Sequence, residues 1–274
     1  MALLVAALYP IAVLAFVGFS QAFSPLPLCP TRSCASFSSS LLQSTSEDSM
    51  TTLLIGSLNR IGTDAHLILA SQSPRRVEIL DMMGLAGKFT QIPSPLDEEA
   101  LQVELATQTI SPEDYAKILA ERKAEALGLH LKNTSDDVPE VPTFILGSDT
   151  IVDLEGQILN KPNDESDAIR MLQSLSGQWH RVHTGVALYK VSKSTEVTLV
   201  SSFTDTAKVE FAGLSQEDIE AYVDTTEPLD KAGSYGIQGI GGQLVARMEG
   251  DFFTVMGLPM HRVSKSLAEA MADL

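Results

Sequence analysis

Short apolar runs alternate along most of the chain with segments whose apolar residues recur at helical spacing. Residues 66–70 (HLILA) precede the polar turn S-Q-S-P, a pattern that predicts a buried strand ending in a turn. Residues 89–92 predict a second strand. Residues 143–154 (TFILGSDTIVDL) predict a third, and Gly156 turns the chain into a short return over 158–160. Residues 182–189 and 197–211 predict two long strands joined by a polar turn at 192–195.

Helix signals fill the intervals between these strands. Ser73 precedes Pro74, so we expect Ser73 to cap a helix that Gly84 ends. The sequence S-P-E-D at 111–114 starts another helix, and further helices are predicted over 164–175, 215–223 and from 257–259 to about 271. Residues 94–99, 131–142 and the glycine-rich 233–242 are predicted loops. Because strands and helices are interleaved while the long hairpin requires antiparallel pairing, we predict an α/β fold with a mixed sheet and flanking helices.

Composition limits the partners and the chemistry. The net charge of −16 favours repulsion of nucleic acids and anionic lipids, so we expect no nucleic-acid partner. A polyanionic ligand requires locally gathered cations or a divalent metal. Both cysteines, Cys29 and Cys34, precede the periodic part of the chain, which excludes a disulfide framework and a thiol nucleophile there.

The N-terminal segment differs from the rest. Residues 2–19 are an apolar run that contains Pro10 and is followed by the small residues Ser20 and Ala22, so residues 1–22 resemble a signal peptide. A membrane anchor is the alternative, and we expect no stable membrane span in the mature form. Residues 23–62 are rich in Ser and are transit-like or disordered. The junction S-Q-A-F-S-P at 20–25 resembles the bipartite leaders of algae with secondary plastids, which implies a plastid location. The secretory pathway or the cytoplasm, the latter through a start at Met50, are the alternatives. The folded domain is predicted over 63–274.

The loop A-S-Q-S-P-R-R is the first candidate site. Ser71 and Ser73 offer hydroxyl groups, and Arg75 and Arg76 offer planar forks that suit phosphate oxygens. The competing interpretation is a capped helix with both arginines in solvent.

Two further candidates lie in and after the third strand. Asp149, in G-S-D-T, is an acid inside an apolar strand and is a candidate general base or magnesium ligand. Lys161, in N-K-P, follows the turn at Gly156, so an antiparallel return would bring it to the same sheet edge as Asp149. A strand-end turn for Asp149 and a solvated side chain for Lys161 are the alternatives.

The remaining candidates lie in loops or on a helix. The segment E-P-L-D-K-A-G-S-Y-G-I-Q-G at 227–239 permits close backbone approach to a ligand, and the amide of Gln238 suits a base edge. Glu98 is a candidate for holding a metal or orienting water and Lys123 for neutralising phosphate, although for each residue alone a solvated surface charge is the favoured interpretation. The histidines 180, 183 and 261 show no metal-ligand spacing, and the chain has no Walker loop and no G-x-G-x-x-G after the first strand.

The ordered blocks LILASQSPRR, ILGSDTIV, GQILNKPNDESDAIRMLQSLSGQWHRVHTGVAL and EPLDKAGSYGIQG resemble the Maf family of nucleoside-triphosphate pyrophosphatases. The resemblance implies a fold shared with the inosine-triphosphate pyrophosphatases, with two lobes around a cleft and often a homodimer. It also implies hydrolysis of a nucleoside triphosphate to the monophosphate and pyrophosphate, assisted by Mg²⁺ or Mn²⁺.

The resemblance also implies roles for single residues. Asp149 matches the family's proton acceptor, and Glu98 matches a metal position. The phosphate positions are matched by Ser71, Ser73, Arg76, Lys123 and Lys161. Arg75, Thr150 and Gln238 match the dTTP/UTP-cleaving type, whereas the 7-methyl-GTP-cleaving type carries an acid at the position of Gln238. Cleavage of 7-methyl-GTP or another purine triphosphate, and non-catalytic nucleotide binding that regulates division, are the alternatives.

Overall fold

A seven-stranded mixed sheet forms the centre of the computed structural model, which describes residues 54–134, 141–192 and 195–274. The strand order is β2-β1-β3-β5-β6-β7, with β4 paired to β3 outside this path. β1 pairs in parallel with β2 and β3, and the other pairs are antiparallel. The predicted mixed α/β sheet is therefore confirmed. The strands are β1 His66–Leu69, β2 Phe89–Gln91, β3 Thr143–Leu154, β4 Gln157–Leu159, β5 Trp179–Ser192, β6 Thr195–Phe211 and β7 Val245–Glu249.

Helices cover both faces of this sheet. On one face, α4 packs against β3, β5 and β6; on the other, two apolar clusters seat α2 and α8 near one end of the strands and α5 and α6 near the other. The helices are α1 Leu54–Leu58, α2 Pro74–Leu80, α3 Glu98–Ala106, α4 Pro112–Thr134, α5 Glu165–Leu175, α6 Gln216–Asp224, α7 Phe252–Met256 and α8 Met260–Ala272. A π-helical turn follows α2 at Asp81–Leu85, and short 3-10 turns occupy Glu227–Asp230, Ala232–Ser234 and Ile240–Leu244.

The packed body begins before residue 63. α1 lies inside the segment predicted as transit-like or disordered, yet Leu58 and Ile61 are buried in the same apolar cluster as α8. These two apolar side chains tie the segment to the domain, so the predicted boundary is too late. The signal-like residues 1–22 and residues 23–53 lie outside the described part of the chain.

Two other expectations need correction, and two elements were not predicted. Residues 94–99 were expected to be a loop, but Asp97 accepts a hydrogen bond from the backbone N–H of Ala100 and so starts α3 at Glu98. Residues 131–134 were expected to belong to a loop, but they form the last turn of α4, which ends at Thr134. β7 and α7 lack a clear apolar period in the sequence, and we did not predict them.

Two glycines let α4 approach the sheet unusually closely. A Cβ at Gly147 of β3 would collide with the carbonyl oxygen of Ala120, and one at Gly185 of β5 would collide with that of Ala116. Any other residue at either position would push the helix outward. The height of α4 above the sheet is thus set by two missing side chains.

The edge of β3 contains a gap. β1 pairs with β3 as far as Leu146, and β4 pairs with it from Val152 onward. Asp149 lies between these two pairings, beside the point where the chain leaves β1. Ligand sites in open α/β sheets form at such breaks in strand pairing.

No helix among residues 54–134, 141–192 and 195–274 combines the length and apolar character that a membrane crossing requires.

We predict that Gly185→Ala destabilises the domain by about 1–3 kcal/mol, because the added methyl group forces α4 away from β5. The measurement is the free energy of unfolding in urea. Gly213→Ala is the matched control: Gly213 is exposed with no atom near its missing Cβ, so we expect a change within about 0.5 kcal/mol. Equal effects of the two substitutions would contradict the close-packing argument.

Candidate active site

A cavity of about 380 Å³ lies at the gap in the β3 edge. The turn after β1, the middle of β3, the start of α3, one turn of α4 and the loop around residues 230–238 form its walls. Every site residue predicted from the sequence lines it. These residues are Ser71, Ser73, Arg75, Arg76, Glu98, Lys123, Asp149, Thr150, Lys161 and Gln238.

Arg76 is a buried cation held by neutral acceptors. Its Nε donates to the carbonyl oxygen of Gly257 at 2.9 Å, Nη1 to Ser71 Oγ at 2.9 Å and Nη2 to Thr150 Oγ1 at 3.2 Å. Burial lowers the pKa of the Arg76 guanidinium, and the negative charge of Asp149 works in the opposite direction. Since none of its three bonds is to a carboxylate, its charge is available to an anionic ligand in the cavity.

The two serines of the loop differ in what their hydroxyl groups do. Ser71 is buried, and its Oγ accepts from the backbone N–H of Ser73 as well as from Arg76, so it holds the turn and the arginine in place. Ser73 occupies the N-cap position of α2 as predicted, but its side chain makes no capping bond to the helix. Ser73 therefore caps α2 by its position alone, without a side-chain hydrogen bond, and it is among the residues that line the cavity.

Lys123 joins the two acidic candidates. Its Nζ lies 2.6 Å from Asp149 Oδ1 and 2.8 Å from Glu98 Oε2. The Lys123 side chain is 7% exposed and that of Asp149 is 14% exposed, whereas the Glu98 side chain is 42% exposed. Residues from α4, β3 and the first turn of α3 therefore meet at one ammonium group.

Electrostatics keep this lysine charged. Burial on its own would lower the pKa of the Lys123 ammonium, but the adjacent carboxylates of Asp149 and Glu98 more than offset that effect. The pKa of Lys123 consequently lies above its ordinary value.

Thr150 connects the cavity to the interior of the sheet. Its Oγ1 receives the Arg76 bond and shares a 2.9 Å hydrogen bond with Thr184 Oγ1, which donates in turn to the carbonyl oxygen of Thr254 at 2.7 Å. Thr184 and Thr254 are fully buried. The position of Thr150 is thus fixed by the same network that holds Arg76.

Arg75 meets the opposite wall of the cavity. Its Nη1 lies 3.0 Å from Asp230 Oδ2, so the turn after β1 and the loop at 227–239 are joined by an ion pair. Gln238 on that loop and Lys161 after β4 are exposed on the cavity wall. The predicted return at Gly156 forms, because β4 pairs antiparallel with β3.

The sequence reasoning missed Asp230, Lys231 and Tyr235, which also line the cavity. Lys231 is buried and donates to Asp230 Oδ1 at 2.6 Å and to the carbonyl oxygen of Glu227. Tyr235 is buried, and its hydroxyl lies 2.9 Å from His180 Nε2. All three belong to the quoted block EPLDKAGSYGIQG, where we considered the glycines and Gln238 and overlooked a lysine directly beside an aspartate.

Glu98 is predicted as a metal position. The Glu98 carboxylate has one carboxylate neighbour, that of Asp149, and both contact the Lys123 ammonium. Within residues 54–134, 141–192 and 195–274, no group of three or more His, Cys, Asp or Glu side chains is arranged to hold a metal ion. A metal here would need additional ligands from the substrate or from water.

The profile of the family described as Maf-like protein matches residues 66–270. The chain is 44% identical over 201 residues to the dTTP/UTP pyrophosphatase of Methylobacillus flagellatus, covering 73% of this chain and 90% of that protein. It is 46% identical over 208 residues to the dTTP/UTP pyrophosphatase of Shewanella sp. (strain MR-7), covering 75% and 98%. It is 42% identical over 205 residues to a probable bifunctional dTTP/UTP pyrophosphatase/methyltransferase protein of Homo sapiens, covering 74% of this chain and 32% of that protein.

The structure of the Staphylococcus aureus Ham1 protein overlaps 66% of this chain and 79% of its own, with a TM-score of 0.30 and 14% identity. At that score the overlap adds no argument about fold or function.

We predict that Lys123→Met costs on the order of 2 kcal/mol of stability near neutral pH, because it leaves Asp149 and Glu98 without their shared cation. This loss is below the 3–5 kcal/mol of a fully buried pair, since Glu98 keeps solvent contact. The pKa of Lys123 is raised in the folded state. Its contribution is therefore complete below the unfolded value of about 10.4 and is lost as pH rises through the folded pKa.

The measurement is the free energy of unfolding of the wild-type protein and of the Lys123→Met variant from pH 7 to pH 11. Lys117→Met is the matched control on the same helix: Lys117 pairs with Asp114 at 2.7 Å, but the side chains are 35% and 53% exposed, so we expect a loss below about 1 kcal/mol. A Lys123 variant as stable as this control would refute the assigned ion-pair energy.

Proposed function

Because this chain belongs to the Maf-like protein family, we propose that it hydrolyses dTTP and UTP to the nucleoside monophosphate and pyrophosphate. The observation that carries the proposal is the meeting of Asp149, Lys123 and Glu98 at 2.6 and 2.8 Å, in the same cavity as the buried Arg76. Proteins named dTTP/UTP pyrophosphatase at 44% and 46% identity support the choice of substrates.

Charge supports a triphosphate ligand. In a chain of net charge −16, Arg76, Lys123 and Lys161 face one cavity of about 380 Å³. Arg76 and Lys123 are fixed by hydrogen bonds before any ligand arrives, so little reorganisation is needed when negative charge develops.

Asp149 is our proposed proton acceptor. The Asp149 carboxylate sits on β3 and is oriented by Lys123 through Oδ1, and Oδ2 is the oxygen that we assign to accept a proton from water. The water oxygen attacks the α-phosphorus while Asp149 takes the proton. The bond between the α-phosphorus and its bridging oxygen breaks, and the electron pair leaves with pyrophosphate. Arg76 and Lys161 neutralise the charge that builds on this leaving group, while Lys123 holds the carboxylates of Asp149 and Glu98 in place.

We propose Mg²⁺ or Mn²⁺ as the cofactor, with Glu98 as a ligand beside Asp149. Two carboxylates that already share one cation are a suitable partial donor set, because Mg²⁺ in phosphate chemistry is bound by one or two carboxylates plus substrate oxygens. When bound, the metal supplies charge neutralisation of the triphosphate.

A panel of nucleoside triphosphates tests the substrate assignment. We expect pyrophosphate release from dTTP and UTP at higher kcat/KM than from CTP, ATP, GTP and 7-methyl-GTP. A clear preference for 7-methyl-GTP or another purine triphosphate would overturn the pyrimidine assignment. Tight binding of dTTP without pyrophosphate release would overturn hydrolysis itself and favour a non-catalytic nucleotide-binding role.

We predict that Asp149→Asn lowers kcat on dTTP and UTP by about 10²–10⁴-fold while dTTP binding persists, because an amide cannot accept the proton from water. The measurements are steady-state pyrophosphate release and calorimetric binding of dTTP. Asp81→Asn makes the same chemical change at an exposed position outside the cavity, and we expect wild-type rates from it. Near-full activity of the Asp149 variant would remove this residue from the mechanism.

A further inference from the structure

Two adjacent arginines line the cavity but are compensated differently. Arg76 is held by the neutral oxygens of Gly257, Ser71 and Thr150. Arg75 instead donates to a carboxylate, Asp230 Oδ2, at 3.0 Å. The guanidinium of Arg76 therefore has no carboxylate among these hydrogen-bond acceptors and is influenced by Asp149 and Glu98 only through their charge. The guanidinium of Arg75 is paired directly with a carboxylate.

The carboxylate that pairs with Arg75 is itself held firmly. Asp230 Oδ1 accepts from Lys231 Nζ at 2.6 Å, and the same ammonium donates to the carbonyl oxygen of Glu227. Burial would raise the pKa of Asp230, but the hydrogen bond from Lys231 and the charge of Arg75 outweigh it and hold that pKa below its ordinary value. Asp230 is consequently ionised at neutral pH.

Asp230, the acidic partner in this ion pair, lies on the same loop as Gln238. A Cβ at Gly236 would lie 2.6 Å from Lys231 Cε, and one at Gly239 would lie 2.5 Å from Glu227 Oε2, so the segment 236–239 packs directly on the residues that flank Asp230. The Glu227 carboxylate also accepts from the backbone N–H groups of Ile240 and Gly241 at 2.9 and 3.0 Å. Arg75, at the start of α2, is thus paired with the folded loop that carries Gln238, and Arg75, Asp230 and Gln238 all line the cavity.

A triphosphate is a poor ligand for this region. Placing its negative charges against Arg75 would bring them next to the Asp230 carboxylate, whose side chain is 60% exposed. The paired guanidinium still has N–H groups that can donate to neutral acceptors. Thymine and uracil present two carbonyl oxygens, whereas cytosine presents an amino group in place of one of them.

We propose that Asp230 is a specificity-determining positioning residue, which orients and neutralises Arg75 so that Arg75 contacts the pyrimidine base and not the triphosphate. This inference rests on the proposed function and extends it. Asp230 acts through Arg75 and does not touch the reacting atoms.

The test variant is Asp230→Asn, which keeps the shape of the side chain and removes its charge. We expect the ratio of kcat/KM for dTTP over CTP to fall by about tenfold, with kcat on dTTP changed by less than about threefold. We also expect inorganic triphosphate to inhibit this variant more strongly than wild type, by about threefold or more, because Arg75 is no longer compensated. A loosened fold would weaken inhibition, so this readout separates positioning from mere structural damage.

A double-mutant cycle tests whether Asp230 affects selectivity through Arg75. In an Arg75→Gln background, Asp230→Asn is expected to leave the dTTP/CTP ratio unchanged, since the residue through which it acts is gone. The control is Asp64→Asn, which removes a comparable aspartate from an arginine pair at 2.8 Å with Arg60, outside the cavity; we expect no change in selectivity.

Three results would overturn the inference: an unchanged dTTP/CTP ratio in Asp230→Asn, equal losses of selectivity in both backgrounds, or weaker inhibition by inorganic triphosphate. Calorimetric dissociation constants of dTTP, CTP and inorganic triphosphate, measured with EDTA, give the same comparisons without turnover. A wild-type protein that discriminates in binding but releases no pyrophosphate would contradict the proposed hydrolysis and leave the role of Asp230 decidable.

Discussion

The close approach of α4 to the sheet governs where the charged groups of the cavity can meet. Gly147 and Gly185 leave no side chain between the helix and β3 and β5, so the helix backbone rests directly on the strands. Lys123 projects from this lowered helix and reaches Asp149 on β3 at 2.6 Å. With α4 further out, a buried lysine and a nearly buried aspartate would each lose their partner, at a cost of several kcal/mol. The packing of the α4 backbone on the sheet therefore determines whether the charged groups of the cavity can form their ion pairs.

An acidic protein can bind a polyanion only where some of its cations lie together and are not paired with its own carboxylates. Arg76 is held by neutral oxygens, whereas Lys123 is held by two carboxylates, so the two buried cations of the cavity differ in their direct partners. Arg75, next in sequence to Arg76, is balanced by Asp230. The two adjacent arginines therefore differ in their ability to bind phosphate only because their hydrogen-bond partners differ. Their order in the sequence does not reveal which of them is free to bind phosphate.

The sequence was sufficient for the main strands and for the set of residues around the cavity, because buried strands and capped helices leave local patterns. It predicted β1, β3, β4 and the β5–β6 hairpin, and it singled out Asp149 as an acid in an apolar strand. It did not predict α3, whose start depends on the Asp97 cap, or β7, which is a short edge strand. The role of Asp230 was missed because its pairing with Arg75 is a contact across 155 residues of chain, and the adjacent Lys231, which also pairs with Asp230, was overlooked. Resemblance to a family supplied roles that periodicity alone left open.

The cavity has two kinds of wall, and this difference bears on how chemistry and selectivity are divided. Asp149 and Thr150 lie on β3 in the gap between its pairings with β1 and β4, and Lys123 lies on a long helix packed against that strand. Side chains on a paired strand and on a packed helix have fixed positions, and proton transfer and charge stabilisation require such fixed positions. Asp230 and Gln238 lie on a loop of short 3-10 turns, organised around the carboxylate of Glu227. Substitutions in such a loop can change which base is accepted while the strand and the helix remain in place, so selectivity can vary without rebuilding the groups that act on the phosphates.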